Sequence, residues 1–248
     1  MCEVTLEQDS NMIIKRTATA LKRQDWFAVL IELVLVIAGI LIALQISNWN
    51  DDKKSRNEQS QILTRLASDL NLDLSSLTTK LDFYNDYVQD LTKKRDLIFK
   101  ESLTKEEILQ IVPYLGAYIQ DTNPRRTTFD EIINSGKLYQ LDNLNLVNAT
   151  KDYYQLVELY TYNDRQTRIE FRALFYGPAL TEYWYWIAHP EMEKYAVEFF
   201  NNRDSIAFKS FTQSAAWSVA ITQRSVNQYE KLIETNQKVL TLIDTELN

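Results

Sequence analysis

The amino-acid sequence predicts an all-α protein in which an N-terminal single transmembrane helix continues into an antiparallel helical bundle with long helices at each end. Three observations predict it: a long apolar run, apolar heptads near both ends of the remaining chain, and a shortage of turn-formers. The 248 residues include only 4 Gly and 4 Pro, against the roughly 12% that these two residues make up in average proteins. We expect a leader at residues 1–25, the transmembrane helix at 26–46, a helical stalk at 47–62 and the all-α bundle at 63–248.

The apolar run predicts a membrane span. Its only charged residue is Glu32, and as a helix residues 26–46 measure about 31 Å, close to the ~30 Å hydrocarbon core of a bilayer. Trp26 and Trp49 stand near its ends, where indole rings favour the headgroup region, so we interpret them as interface anchors. A signal peptide has a shorter apolar region and a small-residue cleavage site, whereas this run ends at Gln45 and Ile46. A buried core helix would carry a polar face, so a retained span is favoured.

The charges that flank the span bear on its orientation. Lys and Arg are equally frequent on the two flanks, so the positive-inside rule does not decide by count. Lys22 and Arg23 adjoin the start of the span and Asp51 and Asp52 follow its end, which favours a cytoplasmic N-terminus and an exported bundle. The only cysteine is Cys2, so we expect no disulfide within the bundle, which fits either compartment.

One face of the span predicts self-association. Gly39 and Ala43 lie 7 and 11 residues after Glu32, so all three share a helix face, and a small-xxx-small pair lets two membrane helices approach closely. This association face is the functional hypothesis for the membrane helix, and it predicts a homo-oligomer. In the alternative, Glu32 reaches back towards Lys22 and Arg23 and the small residues have no special role.

Apolar residues spaced alternately by 4 and 3 predict a long helix at each end of the bundle. The first series, broken only by Arg95, is Leu63, Ala67, Leu70, Leu74, Leu77, Leu81, Tyr84, Val88, Leu91, Arg95 and Ile98. The second, interrupted by Thr212, Thr222 and Asn236, is Phe208, Ala215, Val219, Val226, Tyr229, Ile233, Leu240, Ile243 and Leu247. Two such helices can pack side by side as an antiparallel bundle.

Shorter helices are predicted between them. The segments Thr104–Glu107 and Thr128–Glu131 both match the capping box that begins a helix. A helix capped by Asp142 or Asn143 is expected to reach about Phe175. The remaining helix limits are predicted from Pro and Gly, at Pro113, Asn123-Pro124, Gly136, Gly177-Pro178 and His189-Pro190.

The membrane segment also carries a recognisable pattern. Between Gly39 and Asn50 the sequence is G-I-L-I-A-L-Q-x-x-N-W-N, and Glu32 precedes it. This resembles the start of an uncharacterised family of bacterial single-pass membrane proteins, in which a Glu-containing span ends in that pattern. Ile31 stands where the family often has Gly before the membrane Glu. A second stretch similar to that family comprises Thr128-Phe129, Ser135 to Leu138 and Tyr153-Tyr154.

The resemblance implies a domain of unknown function and supplies no catalytic residues. It also implies a location in the bacterial inner (cytoplasmic) membrane, where contact with membrane lipid is expected. Taken with the flanking charges, the expected topology is a cytoplasmic N-terminus and a periplasmic C-terminal domain.

Several function classes are disfavoured by composition. The net charge is −7, and no basic block is interleaved with aromatics, so nucleic acid is not expected as a partner. His189 is the only histidine, which argues against a zinc site, and we expect no metal or other cofactor. The four glycines are isolated from one another, so no phosphate-binding glycine loop is present in the sequence.

An enzyme is therefore not expected. A carboxylate-based hydrolase is a minor alternative, because carboxylates can serve as acid and base without histidine. The available carboxylates are Asp130, Glu131, Glu182, Glu191 and Glu193. In a chain with 34 Asp and Glu, such placements are also expected on a solvated surface.

Aromatic residues between 153 and 186 give the best candidate for a functional surface. Most are expected in the bundle core, since Tyr153, Tyr160, Phe171 and Phe175 can share one stripe. Four consecutive helical residues cannot all face one core, so at least one ring of this group is expected to be exposed or to meet a partner. The group is Tyr183, Trp184, Tyr185 and Trp186.

A basic stripe lies close by in the sequence. Arg165, Arg168 and Arg172 recur at 3 and 4 residues and share one helix face. The stripe can receive an anionic ligand, but Asp164 and Glu170 are near, so a surface salt-bridge face is favoured.

The sequence thus predicts a membrane-anchored, non-enzymatic helical protein that self-associates and acts as a sensor or scaffold in the bacterial envelope. The alternative is a subunit or assembly factor of a larger membrane complex, which docks on an unidentified membrane protein through the aromatic-rich region at residues 153–186.

Overall fold

The computed structural model describes residues 26–112, 120–187 and 189–247, and every regular element in those ranges is a helix, which confirms the all-α prediction. The α-helices are α1 (Trp26–Ile98), α2 (Lys105–Ile111), α3 (Thr127–Asn134), α4 (Leu144–Phe175), α5 (Thr181–Ile187), α6 (Met192–Asn201) and α7 (Ile206–Leu247). Two 3₁₀ turns are Lys137–Gln140 and Pro178–Leu180. The predicted leader at residues 1–25 and the predicted break at Pro113 lie outside the described residues.

The chain divides into two compact units, Met1–Glu58 and Gln59–Asn248. In the described part of the first unit, residues 26–58 are helical and belong to α1. The second unit contains the rest of α1 together with α2 to α7, and it holds the buried core.

Three long helical segments build the second unit. The Asn236 side-chain N–H donates to the Leu70 carbonyl at 3.1 Å, and the rings of Tyr84 and Tyr229 stack 5.3 Å apart. Residue numbers rise along α1 as they fall along α7, so these two helices are antiparallel. Helix α4 also runs against α7, because Asn143 beside its start contacts Glu246 at 3.0 Å and the Phe171 ring near its end stacks on Trp217.

The predicted heptads form the contact surfaces of this core. In α1 every seventh residue of the series is buried, and the intervening members are partly buried. The buried members are Leu63, Leu70, Leu77, Tyr84, Leu91 and Ile98. In α7 the interruptions Thr222 and Asn236 are also buried, whereas Leu247, predicted as an apolar contact, is 40% exposed as the last residue of the helix.

Several predicted helix limits are confirmed in atomic detail. Thr104 and Glu107 form both bonds of a capping box, at 3.2 and 3.0 Å, and so begin α2. The Asn143 side-chain oxygen accepts from the Leu146 amide at 3.1 Å and so caps α4. Gly136 adopts the left-handed φ of 72° just after the end of α3, where a side chain would be strained.

The second predicted capping box is wrong. Helix α3 begins at Thr127 after Arg126, and no side chain caps it. The Thr128 hydroxyl instead donates to the Asp69 carboxylate at 2.5 Å, and Glu131 pairs with Arg65 at 2.6 Å. Both side chains of the motif are used to hold α3 against α1, so tertiary contacts replace the local cap.

A smaller cluster of apolar side chains lies beside the main core. The breaks predicted at Gly177-Pro178 and His189-Pro190 separate α4, α5 and α6. Helices α2, α5 and α6 can therefore turn their apolar faces towards the start of α7. The larger buried members of this cluster include Ile98, Ile108, Ile111, Leu180, Tyr183, Phe199, Phe200, Phe208 and Phe211.

Candidate functional site

The first candidate site is the apolar part of α1. In the described ranges it is the one stretch of helix long and apolar enough to cross a membrane, and none of its most apolar window is buried. Glu32, Gly39 and Ala43 are all exposed. A Cβ added to Gly39 would meet nothing within 4 Å, so the predicted association face is open in the single chain.

The predicted interface anchors are described only in part. The side chain of Trp26 lies outside what the structure describes. Trp49 is exposed, and the Lys53 ammonium lies 5.7 Å from the centre of its ring. An indole with a cation over its face suits the headgroup region, where both an apolar ring and a charge are tolerated.

The aromatic-rich region separates into core and surface. Tyr153, Phe171 and Phe175 are buried and Tyr160 is partly buried, as expected for the predicted core stripe, and Tyr154, which was not placed in that stripe, is buried as well. Burial raises the pKa of the Tyr153 hydroxyl, and the nearby Asn236 amide opposes that rise. Exposed large apolar or aromatic residues of the same region include Leu159, Tyr162, Ile169, Tyr176 and Tyr185.

The prediction that Tyr183 belongs to a partner surface is wrong. Tyr183 is fully buried, and its hydroxyl donates to the Val112 carbonyl at 2.8 Å, so it is part of the core and not of a partner surface. Burial raises its pKa. Tyr185 is 65% exposed, in line with the argument that the four rings cannot share one core. The side chains of Trp184 and Trp186 lie outside the described residues.

The basic stripe on α4 is in place, but its predicted partner is not. Arg165 and Arg172 are exposed, and Arg168 pairs with Asp121 at 2.6 Å. Asp164, expected to neutralise the stripe at the surface, is buried and points to another segment. Asp121, in the segment before α3, therefore pairs with the stripe, and the charge of Arg168 also opposes the rise that burial causes in the pKa of Asp164.

That segment, residues 120–126, is the feature that the sequence analysis missed. It has no regular structure, and buried side chains of α1 and α4 hold its backbone. The Tyr84 hydroxyl accepts from the Gln120 amide at 2.7 Å, and the Tyr154 hydroxyl donates to the Arg125 carbonyl at 3.2 Å. An irregular segment fixed this way satisfies polar groups that burial would otherwise leave unpaired.

Two buried carboxylates make the strongest of these contacts. Asp164 accepts from both the amide and the hydroxyl of Thr122, at 3.0 and 2.6 Å. Asp73 accepts from the Arg125 amide at 3.0 Å and from its guanidinium at the same distance. Burial raises the pKa of each carboxyl above its ordinary value, and the hydrogen bonds from Thr122 and Arg125 oppose that rise.

A lysine completes the arrangement on the α1 side. The Lys80 ammonium donates to the Asp121 carbonyl at 2.7 Å, and burial lowers its pKa while Asp164 and Asp121 oppose the change. Grooves of about 300 and 310 Å³ flank Asn123 and Pro124 on the two sides of the segment. Both grooves are lined by charges of both signs, so neither presents a single-sign site for an ion.

The burial of Asp164 could have been inferred from the sequence. Val157, Asp164 and Phe171 are seven residues apart and share one face of α4, so a carboxylate occupies a position in the core stripe. Its partner Thr122 lies 42 residues away in a segment without periodicity, so its identity was not predictable.

The chain matches a family of unknown function, DUF6090, over residues 32–168, which is more than half of its 248 residues. The chain belongs to this family. No curated protein and no solved structure matches it. The DUF6090 match begins at Glu32 and ends at Arg168, so it includes most of the apolar part of α1 and all of the segment 120–126. Membership confirms that the chain carries an uncharacterised domain, as the resemblance implied.

Four of the five carboxylates of the hydrolase alternative, Asp130, Glu131, Glu191 and Glu193, are in ion pairs or exposed, and the side chain of Glu182 lies outside the described residues. Asp130 pairs with Arg126 at 3.4 Å, and Glu193 pairs with Lys105 at 2.5 Å. Glu191 and Glu193 line an open groove of about 680 Å³ beside α6. In the described ranges no group of three or more His, Cys, Asp or Glu side chains is placed to hold a metal ion. The hydrolase alternative stays a prediction.

Proposed function

We propose that this protein is a membrane-anchored, non-enzymatic helical protein that self-associates and serves as a sensor or scaffold in the bacterial envelope. The observation that carries the proposal is the apolar part of α1, whose most apolar window is entirely unburied in the single chain. Apolar surface gains roughly 25 cal/mol per Å² when it leaves water, so a bilayer is the environment that this segment fits.

The same segment supplies the association face. Glu32, Gly39 and Ala43 lie on one side of the helix, and small residues allow the close backbone approach that membrane helices use in place of hydrophobic burial. A carboxylate on that face is costly in lipid and gains most from a partner that shares or shields it.

Gly39→Ile tests the face directly. Because a side chain at Gly39 meets nothing in the single chain, its effect reports on contact with a second chain. We expect Gly39→Ile to lower the signal in a membrane two-hybrid assay. Ala38→Ile is the matched control, since it adds similar bulk about 100° away around the helix. Equal signals from the wild type and Gly39→Ile would contradict the association face.

The proposed topology has a cytoplasmic N-terminus and a periplasmic C-terminal domain. Alkaline phosphatase fused after Asn248 is active only if that end is exported. We expect an active fusion. An inactive fusion, together with an active cytoplasmic reporter at the same position, would reverse the orientation and with it the compartment in which the second unit works.

The assembly-factor alternative is favoured by one observation, the 65% exposure of Tyr185. An exposed aromatic with a polar tip is typical of a protein interface. Affinity purification in mild detergent separates the two functions. Stoichiometric recovery of another membrane protein, lost on Tyr185→Ala, would favour the assembly role, and recovery of the protein with only itself would disfavour it.

A further inference from the structure

Helix α4 carries a second apolar stripe that no described element covers. Leu159, Tyr162 and Ile169 are 50%, 59% and 57% exposed. Gln166 and Ala173 complete a series in which the spacing alternates between 3 and 4 residues. In order, the series is Leu159, Tyr162, Gln166, Ile169 and Ala173. This is the spacing of a coiled-coil seam, in which the a positions are Leu159, Gln166 and Ala173 and the d positions are Tyr162 and Ile169.

The stripe is distinct from the face that α4 turns to the core. Val157, Asp164 and Phe171 are buried and occupy the f positions of the same heptads, on the opposite side of the helix. Single exposed apolar side chains are ordinary, but a heptad-spaced series on the outer face of a helix is the pattern of an interaction site.

The charges beside the stripe indicate which partner fits it. Arg165 occupies the g position just before Gln166, and Glu170 occupies the e position just after Ile169. Both are exposed, and among the described residues neither is in an ion pair. In a parallel pair of identical helices, the g residue of one chain faces the e residue of the next heptad in the other chain. Arg165 of each copy therefore lies opposite Glu170 of the other copy, which gives two ion pairs per dimer.

Other arrangements satisfy these charges less well. In an antiparallel pair the g residues of one chain face the g residues of the other. This brings Arg165 towards Arg165 or Arg172 of the other chain. A flat anionic surface would attract Arg165 and repel Glu170. Gln166, the polar residue at a central a position, can hydrogen-bond its own counterpart only in a parallel pair in register.

We propose that the stripe Leu159, Tyr162, Gln166 and Ile169 of α4 is a parallel, two-fold contact with the same stripe of a second copy of this chain. The inference rests on the proposed self-association of the membrane protein. Two heptads bury less than the ~1,200 Å² of a standard stable interface, so the contact is weak between free chains. Confinement to one membrane raises the effective concentration of the second copy, so this weak contact is expected to form between membrane-bound chains.

Disulfide cross-linking in native membranes tests the contact. In a Cys2→Ser background the chain has no other cysteine, so Gln166→Cys introduces one thiol at the centre of the stripe. Gln237→Cys is the matched control on the exposed surface of α7. After mild oxidation we expect about fivefold more disulfide-linked dimer from Gln166→Cys than from Gln237→Cys, because a positions of a parallel pair face each other.

A charge exchange tests the orientation. Arg165→Glu and Glu170→Arg each replace two attractions with two repulsions, so each is expected to lower the Gln166→Cys cross-link about fivefold. The double substitution restores opposite charges between chains and is expected to return the cross-link to its original yield. Within one chain these residues are five apart and do not face each other, so recovery requires a second copy.

The outcomes separate this contact from the proposed function. A dimer that is lost on Gly39→Ile but shows no Gln166→Cys cross-link would overturn the α4 contact and leave membrane self-association in place. A cross-link from Gln166→Cys to a product of another size would also overturn it, because a different protein would then cover the stripe. Absence of any dimer, by cross-linking and by the two-hybrid assay, would overturn both.

Discussion

Asp164 allows the sharpest test of how the segment 120–126 is held. Asp164 is 6% exposed, and its carboxylate accepts from the Thr122 amide and hydroxyl at 3.0 and 2.6 Å. Asp164→Ala leaves both donors buried without an acceptor. Each unpaired donor costs about 1–3 kcal/mol, so the loss of both is expected to lower the free energy of unfolding by about 2–6 kcal/mol. Asp164→Asn keeps an oxygen that can accept both bonds, and we expect it to cost less than about 1 kcal/mol near neutral pH.

The pH dependence of the Asn variant follows from the pKa of Asp164. Burial raises that pKa in the folded protein, so the folded state binds the proton more tightly than the unfolded state does. The stability that this group contributes is therefore fully present below the ordinary Asp pKa of about 3.9 and is lost as pH rises through the higher folded value. Asp73, whose pKa is raised in the same direction, is present in both proteins and cancels in the comparison.

The assay is urea unfolding of the full chain in mild detergent, followed by far-UV circular dichroism. The difference in stability between the wild type and Asp164→Asn is expected to favour the wild type more near pH 4 than near pH 7. Hydrogen exchange at the Thr122 amide should be fast in Asp164→Ala and slow in Asp164→Asn. A difference that grows with pH, or an Ala variant as stable as the Asn variant, would refute the reasoning.

Three further substitutions test local features by the same unfolding measurement. Thr104→Ala removes a cap and is expected to cost about 1 kcal/mol, whereas Thr104→Ser should cost little. Gly136→Ala is expected to cost about 1–2 kcal/mol, because φ is 72° although the added Cβ meets nothing, and Gly136→Asn should cost less. Leu70→Ala, at a fully buried position, is expected to cost about 2–5 kcal/mol, and an unchanged midpoint would contradict its place in the core.

Features set by local chemistry were predictable from the sequence. The capping box at Thr104 needs only a hydroxyl and a carboxylate three residues apart, and both bonds form. The same motif at Thr128 does not cap a helix, because Asp69 lies close enough to take the hydroxyl and Arg65 takes the carboxylate of Glu131. A local pattern therefore predicts what a segment can do alone, and a charged neighbour from another helix can override it.

The held segment 120–126 was not predictable for a related reason. Heptads at both ends of the bundle indicated the long helices because burial on one face repeats along the sequence. Asp73 and Asp164 bind a segment without a repeat, and the pairs Asp73–Arg125 and Asp164–Thr122 are separated by 52 and 42 residues. Composition placed most Asp and Glu at the surface, which is the general rule and fails at these two positions.

The aromatic-rich region shows why a cluster in sequence is not a cluster in space. Phe171 faces the core, while Tyr162 and Ile169 are on the outer face of the same helix. The core face is explained by the helices packed against it. The apolar residues of the outer face are not buried in a single chain, yet they keep heptad spacing. Arg165 and Glu170 beside them stand at positions that face each other only between two chains. The arrangement is accounted for if the folded chain is one half of a symmetric contact.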